Sequence, residues 1–188
     1  MVEIRTLRKL DAADIEQVIG DYVTNEFYQV NYSDTGEQTA ITLELTPLEH
    51  PHVGRYHHFD AETIQRHNEV LPGGFSFGAY ENDQLVGFVI AEQRDWNNSL
   101  WVWEFHVALA WRGKGIGRLL MEAAAEKAVQ IGLRIIVCET QNRNTGAIKA
   151  YRKLGFRVEG IDISYYTNED FPDRDVAVFM KKRLTTPL

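Results

Sequence analysis

Residues 101–128 read WVWEFHVALAWRGKGIGRLLMEAAAEKA and join an apolar segment to an amphipathic one through three alternate glycines. The first part is rich in aromatic and β-branched residues, which is typical of a strand. From Ile116 onward, apolar residues recur at spacings of three and four, which predicts a helix with one apolar stripe: Ile116, Leu119, Leu120, Ala123, Ala124, Ala128 and Ile131. The glycines therefore lie in a turn that leads directly from a strand into the N-terminus of a helix.

This glycine turn, RGKGIG at residues 112–117, has two interpretations. Alternate glycines let the backbone approach a ligand closely, and the unpaired N–H groups of a first helical turn suit an anion such as a pyrophosphate. Arg112, Lys114 and Arg118 would then add positive charge. The alternative is a tight turn with a solvated basic rim, and the glycine spacing alone does not separate the two interpretations.

Two common phosphate-binding motifs do not fit this turn. A Walker A loop requires Ser or Thr after Gly-Lys, but Gly115 follows Lys114, and Ala108 stands at the position of the first glycine. A dinucleotide-binding fingerprint requires a third glycine at position 118, which is occupied by Arg118. Neither a Walker A nucleotide site nor a dinucleotide site is therefore expected.

Strand and helix patterns alternate along the rest of the chain. The predicted helices and strands together indicate one α/β (α+β) domain over residues 1–188, a length that suits a single core. Residues 31–60 contain a β-like stretch at 39–45 and are predicted as a strand or loop excursion. The other predicted elements are a strand at 2–7, a helix at 11–23, a helix at 61–70, a hairpin of 75–80 and 84–93, a strand at 135–140, a helix at 145–154, and two strands within 156–166 and 175–180.

Composition excludes several classes of protein. The 20 Lys and Arg residues against 27 Asp and Glu give a net charge of −7, and the absence of a basic block argues against nucleic-acid partners. No apolar run is long enough for a membrane span, and the N-terminus lacks the apolar core of a signal peptide, so a cytoplasmic location is expected. With Cys138 as the single cysteine, an internal disulfide and a multi-cysteine zinc site are excluded.

A second motif lies further along the chain from the glycine turn. It is Asn144-x-x-Ala147-x-x-x-Tyr151-x-Lys153-x-Gly155-Phe156, and it comes after Arg112-x-x-Gly115-x-Gly117. The pair of motifs resembles the GNAT superfamily of acyl-CoA N-acyltransferases, and the resemblance covers most of the chain. Within the superfamily, ETQNRNTGAIKAYRKLGFRVEGIDISYYT at residues 139–167, together with residues 32–47, is most similar to streptothricin acetyltransferases.

The resemblance implies a mixed central sheet, flanked by helices, in which parallel strands around 101–109 and 134–140 splay apart to admit acetyl-CoA. The amides of residues 113–118 would hold its pyrophosphate, and the pantetheine arm would run beside the first of these strands. A proline of the family is replaced by Leu109, which affects only the shape of a turn. The residues implied to bind acetyl-CoA are Val107, Arg112, Gly113, Lys114, Gly115, Ile116, Gly117, Arg118 and Asn144.

The resemblance also implies the catalytic residues. Tyr151 would protonate the departing CoA thiolate, a role that a phenol with a pKa of about 10 can fill, although it also lies on an apolar stripe that suits plain packing. Glu104 interrupts an apolar strand and is the candidate general base, with a structural role as the alternative. It lies one position from the acidic residue of relatives, so this role requires a β-bulge. His106 is a weaker candidate, and Glu139, at the end of the second splayed strand, is another acid that could meet a substrate cation.

Three other groups of residues have competing interpretations. Trp101 and Trp103 alternate at strand spacing, so both are predicted to face one side and pack in the core, with a stacking platform as the alternative. The histidines His50, His52, His57 and His58 crowd one segment, but loop histidines are usually solvated, so no metal site is expected. The segment 159–175 is acidic and either lines a site for a polycationic acceptor or forms a solvated loop. Its acidic residues are Glu159, Asp162, Glu169, Asp170, Asp173 and Asp175.

The function implied by the resemblance is direct transfer of an acetyl group from acetyl-CoA to a small-molecule amine, with a streptothricin-type antibiotic as the named candidate. An acetyltransferase for protein or peptide amines is one alternative, and an acyl-CoA-binding sensor without catalysis is another. GNAT relatives are often dimers, so a homodimer is one assembly that the resemblance implies. The acceptor cannot be identified from the fold, because fold-level resemblance gives the class of reaction better than the substrate.

Overall fold

The computed structural model describes residues 1–56 and 59–184, and this part of the chain forms two compact units. The first unit comprises Met1–Gly20, Arg55–Cys138 and the C-terminal end from Lys182, and the second comprises Asp21–Gly54 and Glu139–Lys181. The strands and α-helices in chain order are β1 Glu3–Thr6, α1 Ala12–Val18, β2 Tyr22–Asp34, β3 Thr39–Gly54, α2 Ala61–Val70, β4 Phe77–Glu81, β5 Gln84–Arg94, β6 Ser99–Val107, α3 Ile116–Gln130, β7 Ile135–Gln141, α4 Thr145–Lys153, β8 Arg157–Asp162 and β9 Ala177–Arg183.

Local caps fix where the helices begin. Asp60 precedes α2 and accepts a hydrogen bond from the Thr63 amide at 2.8 Å, which lowers the pKa of the Asp60 carboxyl. Asp11 precedes α1 and forms a reciprocal capping box with Asp14. The starts of both helices therefore agree with the predicted ones, because the capping signals lie within a few residues of each start.

The first unit contains a mixed sheet, as predicted. Strands β1, β4, β5 and β6 pair antiparallel in that order, and β6 pairs with β7 in parallel. The parallel register starts with Ser99 opposite Ile135 and ends with Val102 opposite Cys138, well before β6 ends at Val107. A short parallel register of this kind is what a splayed strand pair requires.

Helices cover both faces of this sheet. Phe88 and Ile90 of β5 belong to a buried cluster with Leu71, which follows α2, and with residues of α1 and the segment before it, namely Leu7, Leu10, Ile15 and Val18. Alternate residues of a strand point to opposite faces, and Gly87 accordingly lies against Leu120 of α3 on the other face. The predicted stripe of α3 is wrong at two positions, because Leu119 and Ile131 are exposed at the edges of the stripe while Leu120 is fully buried.

The second unit contains a long antiparallel hairpin of β2 and β3. Its register runs from Tyr22 opposite Gly54 to Asp34 opposite Thr39, with a bulge between Thr24 and Glu26. The predicted helix over 11–23 is wrong after Val18, because the chain turns into β2 instead. Most of residues 31–54, within the excursion predicted for 31–60, belong to this strand pair, which is much longer than the β-like stretch at 39–45. Its length depends on pairing partners up to 32 residues apart in sequence, Tyr22 and Gly54.

Asn142 connects three segments of the second unit. Its backbone carbonyl accepts a hydrogen bond from the Tyr28 amide at 3.0 Å, and its side-chain amide donates to the Tyr28 carbonyl at 2.8 Å. On its other side, the Asn142 amide donates to the Val176 carbonyl, and the Val176 amide donates to Asn142 Oδ1, both at 2.9 Å. Asn142 is 3% exposed. These four bonds tie the hairpin to the segment before β9.

The loop between β8 and β9 is organised around a buried carboxylate. Asp170 accepts hydrogen bonds from the amides of Tyr166 and Thr167 and from the Thr167 hydroxyl. The turn built in this way holds Tyr166, whose hydroxyl donates to the Glu139 carboxylate. Burial, and then the charge of Glu139, raise the pKa of Tyr166 above its ordinary value. The phenol is therefore held as a neutral donor.

The described helices are all short. The longest is α3 with 15 residues, and no helix within residues 1–56 and 59–184 has the length and apolar composition to cross a membrane.

Replacing Gly87 by alanine is expected to destabilise the chain. A Cβ at this position would lie 2.9 Å from the His106 carbonyl oxygen and 3.3 Å from Leu120 Cδ1, so the backbones of β5 and β6 would have to separate. We expect a loss of about 1–3 kcal/mol in the free energy of unfolding, measured in urea. Gly20→Ala is the matched control because a Cβ at Gly20 meets no atom within 4 Å. Equal effects of the two substitutions would contradict the prediction.

Tyr166→Phe is expected to reduce the loss of stability at alkaline pH. The folded chain holds the Tyr166 proton above pH 10, where the unfolded chain releases it, because the pKa of Tyr166 is raised in the folded state. This contribution is complete below about pH 10 and is lost as the pH rises further. Urea unfolding from pH 8 to 11 should show a steeper decline for the wild type than for Tyr166→Phe. Tyr165→Phe serves as the control, and parallel curves for Tyr166→Phe and the wild type would refute the assignment.

Candidate active site

The glycine turn presents the uncapped N-terminus of α3. Gly113 and Gly115 have φ angles of 77° and 84°, a backbone conformation that residues with a Cβ rarely adopt. Gly115 is the N-cap residue of α3, and no side chain caps this end of the helix. The first amides of the 15-residue helix have no partner within the helix and carry partial positive charge. This geometry supports the interpretation of the turn as an anion site.

Gly117 is required for a different reason. A Cβ at Gly117 would lie 3.0 Å from Cζ of Phe105 and 3.7 Å from Cγ2 of Val107. The first turn of α3 therefore packs directly against the end of β6, and a larger residue would push the helix away. The third glycine thus fixes where the helix N-terminus lies relative to Val107.

The backbone of Val107 points away from β5. The Ala108 amide donates to the Val86 carbonyl at 2.9 Å, whereas Val107 lies opposite Gly87. Antiparallel strands alternate hydrogen-bonded and non-hydrogen-bonded pairs, so the N–H and carbonyl of Val107 face the side opposite to β5. Arg112 agrees with this orientation, since its Nε donates to the Val107 carbonyl at 3.0 Å.

The three basic residues of the turn all have protein partners. Arg112 Nη2 also reaches the Gly20 carbonyl at 3.4 Å, so this residue fixes the end of β6. Arg118 pairs with Glu122 at 2.7 Å, a contact that raises the pKa of the guanidinium, and Lys114 lies over the Trp111 ring at 4.6 Å. Their predicted role as counter-charges for a phosphate stays a prediction, while Arg112 has a clear structural role.

A β-bulge in β6 sets the direction of Glu104. Ile90 lies opposite Glu104 and Ala91 lies opposite Val102, so Trp103 is one extra residue in β6. Because the bulge shifts the alternation by one position, Glu104 and His106 share the sheet face of Ile90, and Val102 lies on the other face. The bulge that the predicted role of Glu104 requires is present in the structure.

Glu104 lies between two histidines. His106 Nε2 is 2.8 Å from Glu104 Oε2, and His67 Nε2 of α2 is 3.7 Å from Glu104 Oε1. The three side chains are 7–11% exposed, with His106 at 7%, His67 at 10% and Glu104 at 11%. A carboxylate and two imidazoles gathered out of water are groups that can accept and pass protons near neutral pH. His67 was not predicted, because it comes from a helix far from β6 in sequence.

Aromatic rings surround this cluster. The ring of His106 lies 5.0 Å from that of Tyr56, 5.5 Å from that of Phe88 and 5.9 Å from that of Phe59. The ring of Phe59 also lies 6.0 Å from that of His67. The rings keep the histidines in fixed positions and limit the access of water, which strengthens the hydrogen bond between Glu104 and His106.

Asn144 and Tyr151 are both buried in the second unit. Asn144 is the N-cap residue of α4 and accepts a hydrogen bond from the Ala147 amide at 3.1 Å. Tyr151 lies on the same helix and packs at 5.4 Å against the ring of Phe156. The structure therefore gives Tyr151 a packing contact, and its predicted role as an acid stays a prediction.

The predicted core position of Trp103 is wrong. Trp103 is 42% exposed, because the bulge turns it out of the regular alternation, and its Nε1 donates to Glu92 at 3.0 Å. The guanidinium of Arg94 lies over the Trp103 ring at 5.0 Å and over the Trp101 ring at 5.8 Å. These two indoles form an exposed stacking contact with a cation instead of core packing.

The acidic segment differs in part from the prediction. Asp170 is 2% exposed and is used inside its own turn, so it adds no charge to a surface cleft. Asp175 faces Arg143 at 3.9 Å, and Glu139 accepts from Tyr166. Within residues 1–56 and 59–184, no three His, Cys, Asp or Glu side chains are grouped so that they could hold a metal ion. Of the crowded histidines, His57 and His58 lie outside the described residues.

The chain is similar to known proteins over most of its length. The sequence profile of the Acetyltransferase (GNAT) family matches residues 40–156. The chain is 32% identical to a streptothricin acetyltransferase from Streptomyces lavendulae over 167 residues, which cover 87% of this chain and 86% of that protein.

Two solved structures are similar over almost the whole chain. The crystal structure of nourseothricin acetyltransferase superposes with a TM-score of 0.78 and 31% identity, covering 98% of this chain and 99% of that chain. A Bacillus anthracis protein solved in complex with acetyl coenzyme A has the same fold, with a TM-score of 0.71, 23% identity and coverage of 97% and 99%. The chain therefore belongs to the GNAT family and is an acyltransferase that moves an acetyl group to an amine.

Proposed function

We propose that the chain transfers an acetyl group directly from acetyl-CoA to a primary amine of a small cationic molecule, with a streptothricin-type antibiotic as the first candidate. The observation that carries the proposal is the buried Glu104 carboxylate, held on the bulged strand at 2.8 Å from His106. Similarity to streptothricin and nourseothricin acetyltransferases over 87% and 98% of the chain supports the substrate class. Resistance to such an antibiotic would then be the biological role.

The cosubstrate would be held by residues of β6, the glycine turn and α4. In the proposal, the amides of residues 113–118 bind the pyrophosphate of acetyl-CoA, and the Val107 backbone contacts its pantetheine arm and thioester. The open N-terminus of α3 and the orientation of Val107 away from β5 support this assignment. Asn144 would hydrogen-bond the pantetheine arm in addition to capping α4.

The reaction needs a neutral amine, a polarised carbonyl and a proton for the leaving thiolate. Glu104 accepts one proton from the substrate ammonium, and the neutral nitrogen then attacks the acetyl carbon and loses a second proton as the amide forms. The Val107 N–H donates to the carbonyl oxygen as negative charge develops there. The carbon–sulfur bond breaks with its electron pair on sulfur, and Tyr151 supplies the proton that converts the thiolate into the free thiol. No covalent acetyl-enzyme is required.

The proposal treats residues 1–188 as a single acetyltransferase domain that functions with a small-molecule amine. The absence of nucleic-acid and membrane partners and a cytoplasmic location are further predictions of the sequence, and a homodimer is one assembly that the resemblance implies. A peptide-amine acetyltransferase and a non-catalytic acyl-CoA sensor are the competing functions, and each predicts a different result in the two experiments below.

The substrate is tested by mass spectrometry of purified protein incubated with acetyl-CoA and one amine at a time. We expect a streptothricin to gain one acetyl group with many turnovers per protein, because two relatives of this chain are named streptothricin acetyltransferase. A lysine-containing peptide and a no-enzyme sample are the controls. Faster acetylation of the peptide than of the antibiotic would refute the proposed substrate class, and binding of acetyl-CoA without any transfer would favour the sensor.

Tyr151→Phe is expected to lower kcat by about tenfold to a hundredfold while the Kd for acetyl-CoA changes less than about twofold. The ring that packs against Phe156 is retained and only the proton donor is lost. Tyr28→Phe is the matched control, because Tyr28 is also buried in the second unit but has no proposed chemical role. An unchanged kcat for Tyr151→Phe would show that this phenol is a packing residue.

A further inference from the structure

His67 is a buried histidine whose position suggests a chemical role. It lies in the last turn of α2, and its Nε2 is 3.7 Å from Glu104 Oε1. The other oxygen of the same carboxylate, Oε2, is 2.8 Å from Nε2 of His106. The two histidines therefore approach different oxygens of one carboxylate, and only the His106 contact is as short as a hydrogen bond.

The proton balance of the proposed reaction requires more than one acceptor. A cationic amine becomes an amide according to R–NH3⁺ + CH3CO–S–CoA → R–NH–COCH3 + HS–CoA + H⁺, so its nitrogen loses two protons. One proton is matched by the proton that the CoA thiolate gains, and the other must leave the site. A single carboxylate carries one proton at a time, so Glu104 must lose the first proton before it can accept the second one.

We propose that His67 removes the first proton from Glu104 before the carboxylate accepts the second one, and this inference rests on the proposed function. Glu104 accepts the first proton from R–NH3⁺ on Oε1, and the neutral imidazole of His67 then takes that proton at Nε2. The carboxylate is restored to accept the second proton after the carbon–nitrogen bond has formed. His67 is a positioning and relay residue that acts through Glu104 and does not touch the substrate.

The surroundings of the two histidines assign them different roles. His106 is fixed on the sheet by its hydrogen bond to Glu104 and by the rings of Tyr56 and Phe88, so it orients the carboxylate. His67 belongs to a helix whose neighbouring positions Arg66 and Glu69 are exposed. His67 and His106 are buried to similar extents, at 8% and 7% exposed, so they differ in the element that carries them and in the length of their contact with Glu104. The distance of 3.7 Å between His67 Nε2 and Glu104 Oε1 is typical of catalytic contacts that shorten when a substrate binds.

The alternative is that His67 only packs, because its ring also contacts Phe59 at 6.0 Å. His67→Gln separates the two roles, since glutamine retains an amide donor near the position of Nε2 but cannot accept a proton. We expect kcat for the preferred amine to fall by about tenfold to a hundredfold, with KM and the Tm close to those of the wild type. His50→Gln, at an exposed position of β3, is the matched control.

Chemical rescue gives a second, independent readout. Free imidazole should restore part of the kcat of His67→Ala, because it can enter the vacated space and accept the proton from Glu104. It should not restore Glu104→Gln, in which the carboxylate itself is missing, and it should not stimulate the wild type. If His67→Ala does not fold, the kcat of His67→Gln decides the test by itself.

Three outcomes would overturn the inference, and they distinguish loss of the relay alone from loss of the proposed function. A wild-type chain that acetylates an amine, together with a His67→Gln variant that is equally fast, would remove the relay and leave the proposed function intact. A folded His67→Ala variant that imidazole does not rescue would do the same. A wild-type chain that acetylates no amine in the panel would remove the proposed function and the relay together.

Discussion

One extra residue in β6 controls the chemistry of the first unit. Trp103 has no single counterpart on β5, and the strand resumes its pairing with Glu104 opposite Ile90. From this point, the polar residues of β6 face the helix that carries His67, and the apolar ones face α3. The bulge thus places a carboxylate and an imidazole on the buried side of an otherwise apolar strand, where their hydrogen bond is strong because water is excluded.

The glycine turn and the bulge act at the two ends of one strand segment. Gly117 lets α3 approach the side chains of Phe105 and Val107, while the bulge directs Glu104 to the opposite face. Arg112 adds a side-chain bond to the Val107 carbonyl, so the end of β6 is held from both the helix and the turn. The strand between these constraints offers an oriented backbone and an oriented carboxylate within a few residues of each other.

Features encoded by nearby residues could be predicted from sequence, and features set by distant partners could not. The start of α2 follows from Asp60, and the glycine turn follows from backbone angles that only glycine adopts readily. By contrast, the extent of the β2–β3 hairpin depends on pairing between residues far apart in the chain. A helix over 11–23 was a wrong prediction for the same reason, since β2 overrides the helical pattern after Val18.

Part of the candidate site could likewise be predicted from the sequence, and part of it could not. Glu104 could be selected as a candidate because a charged residue inside an apolar strand is unusual. The sequence also indicated that its role as a base requires a β-bulge, but not at which residue the bulge lies. His67 gave no signal in the sequence, because a lone histidine in an amphipathic helix has many structural explanations. Its importance depends on the 3.7 Å approach to a residue of another element, which only the folded chain contains. Trp103 was misassigned because strict alternation does not include the extra residue.

The hydrogen bonds of Asn142 determine how the second unit opens locally. Its four hydrogen bonds, two to Tyr28 and two to Val176, give the hairpin and the segment before β9 a shared attachment. Opening either segment breaks two of these bonds and leaves two buried polar groups of Asn142 without partners, which costs more than the opening of an ordinary loop. Hydrogen exchange at the Tyr28 and Val176 amides should therefore proceed through one cooperative opening, so the hairpin and this segment form a single unit of local unfolding.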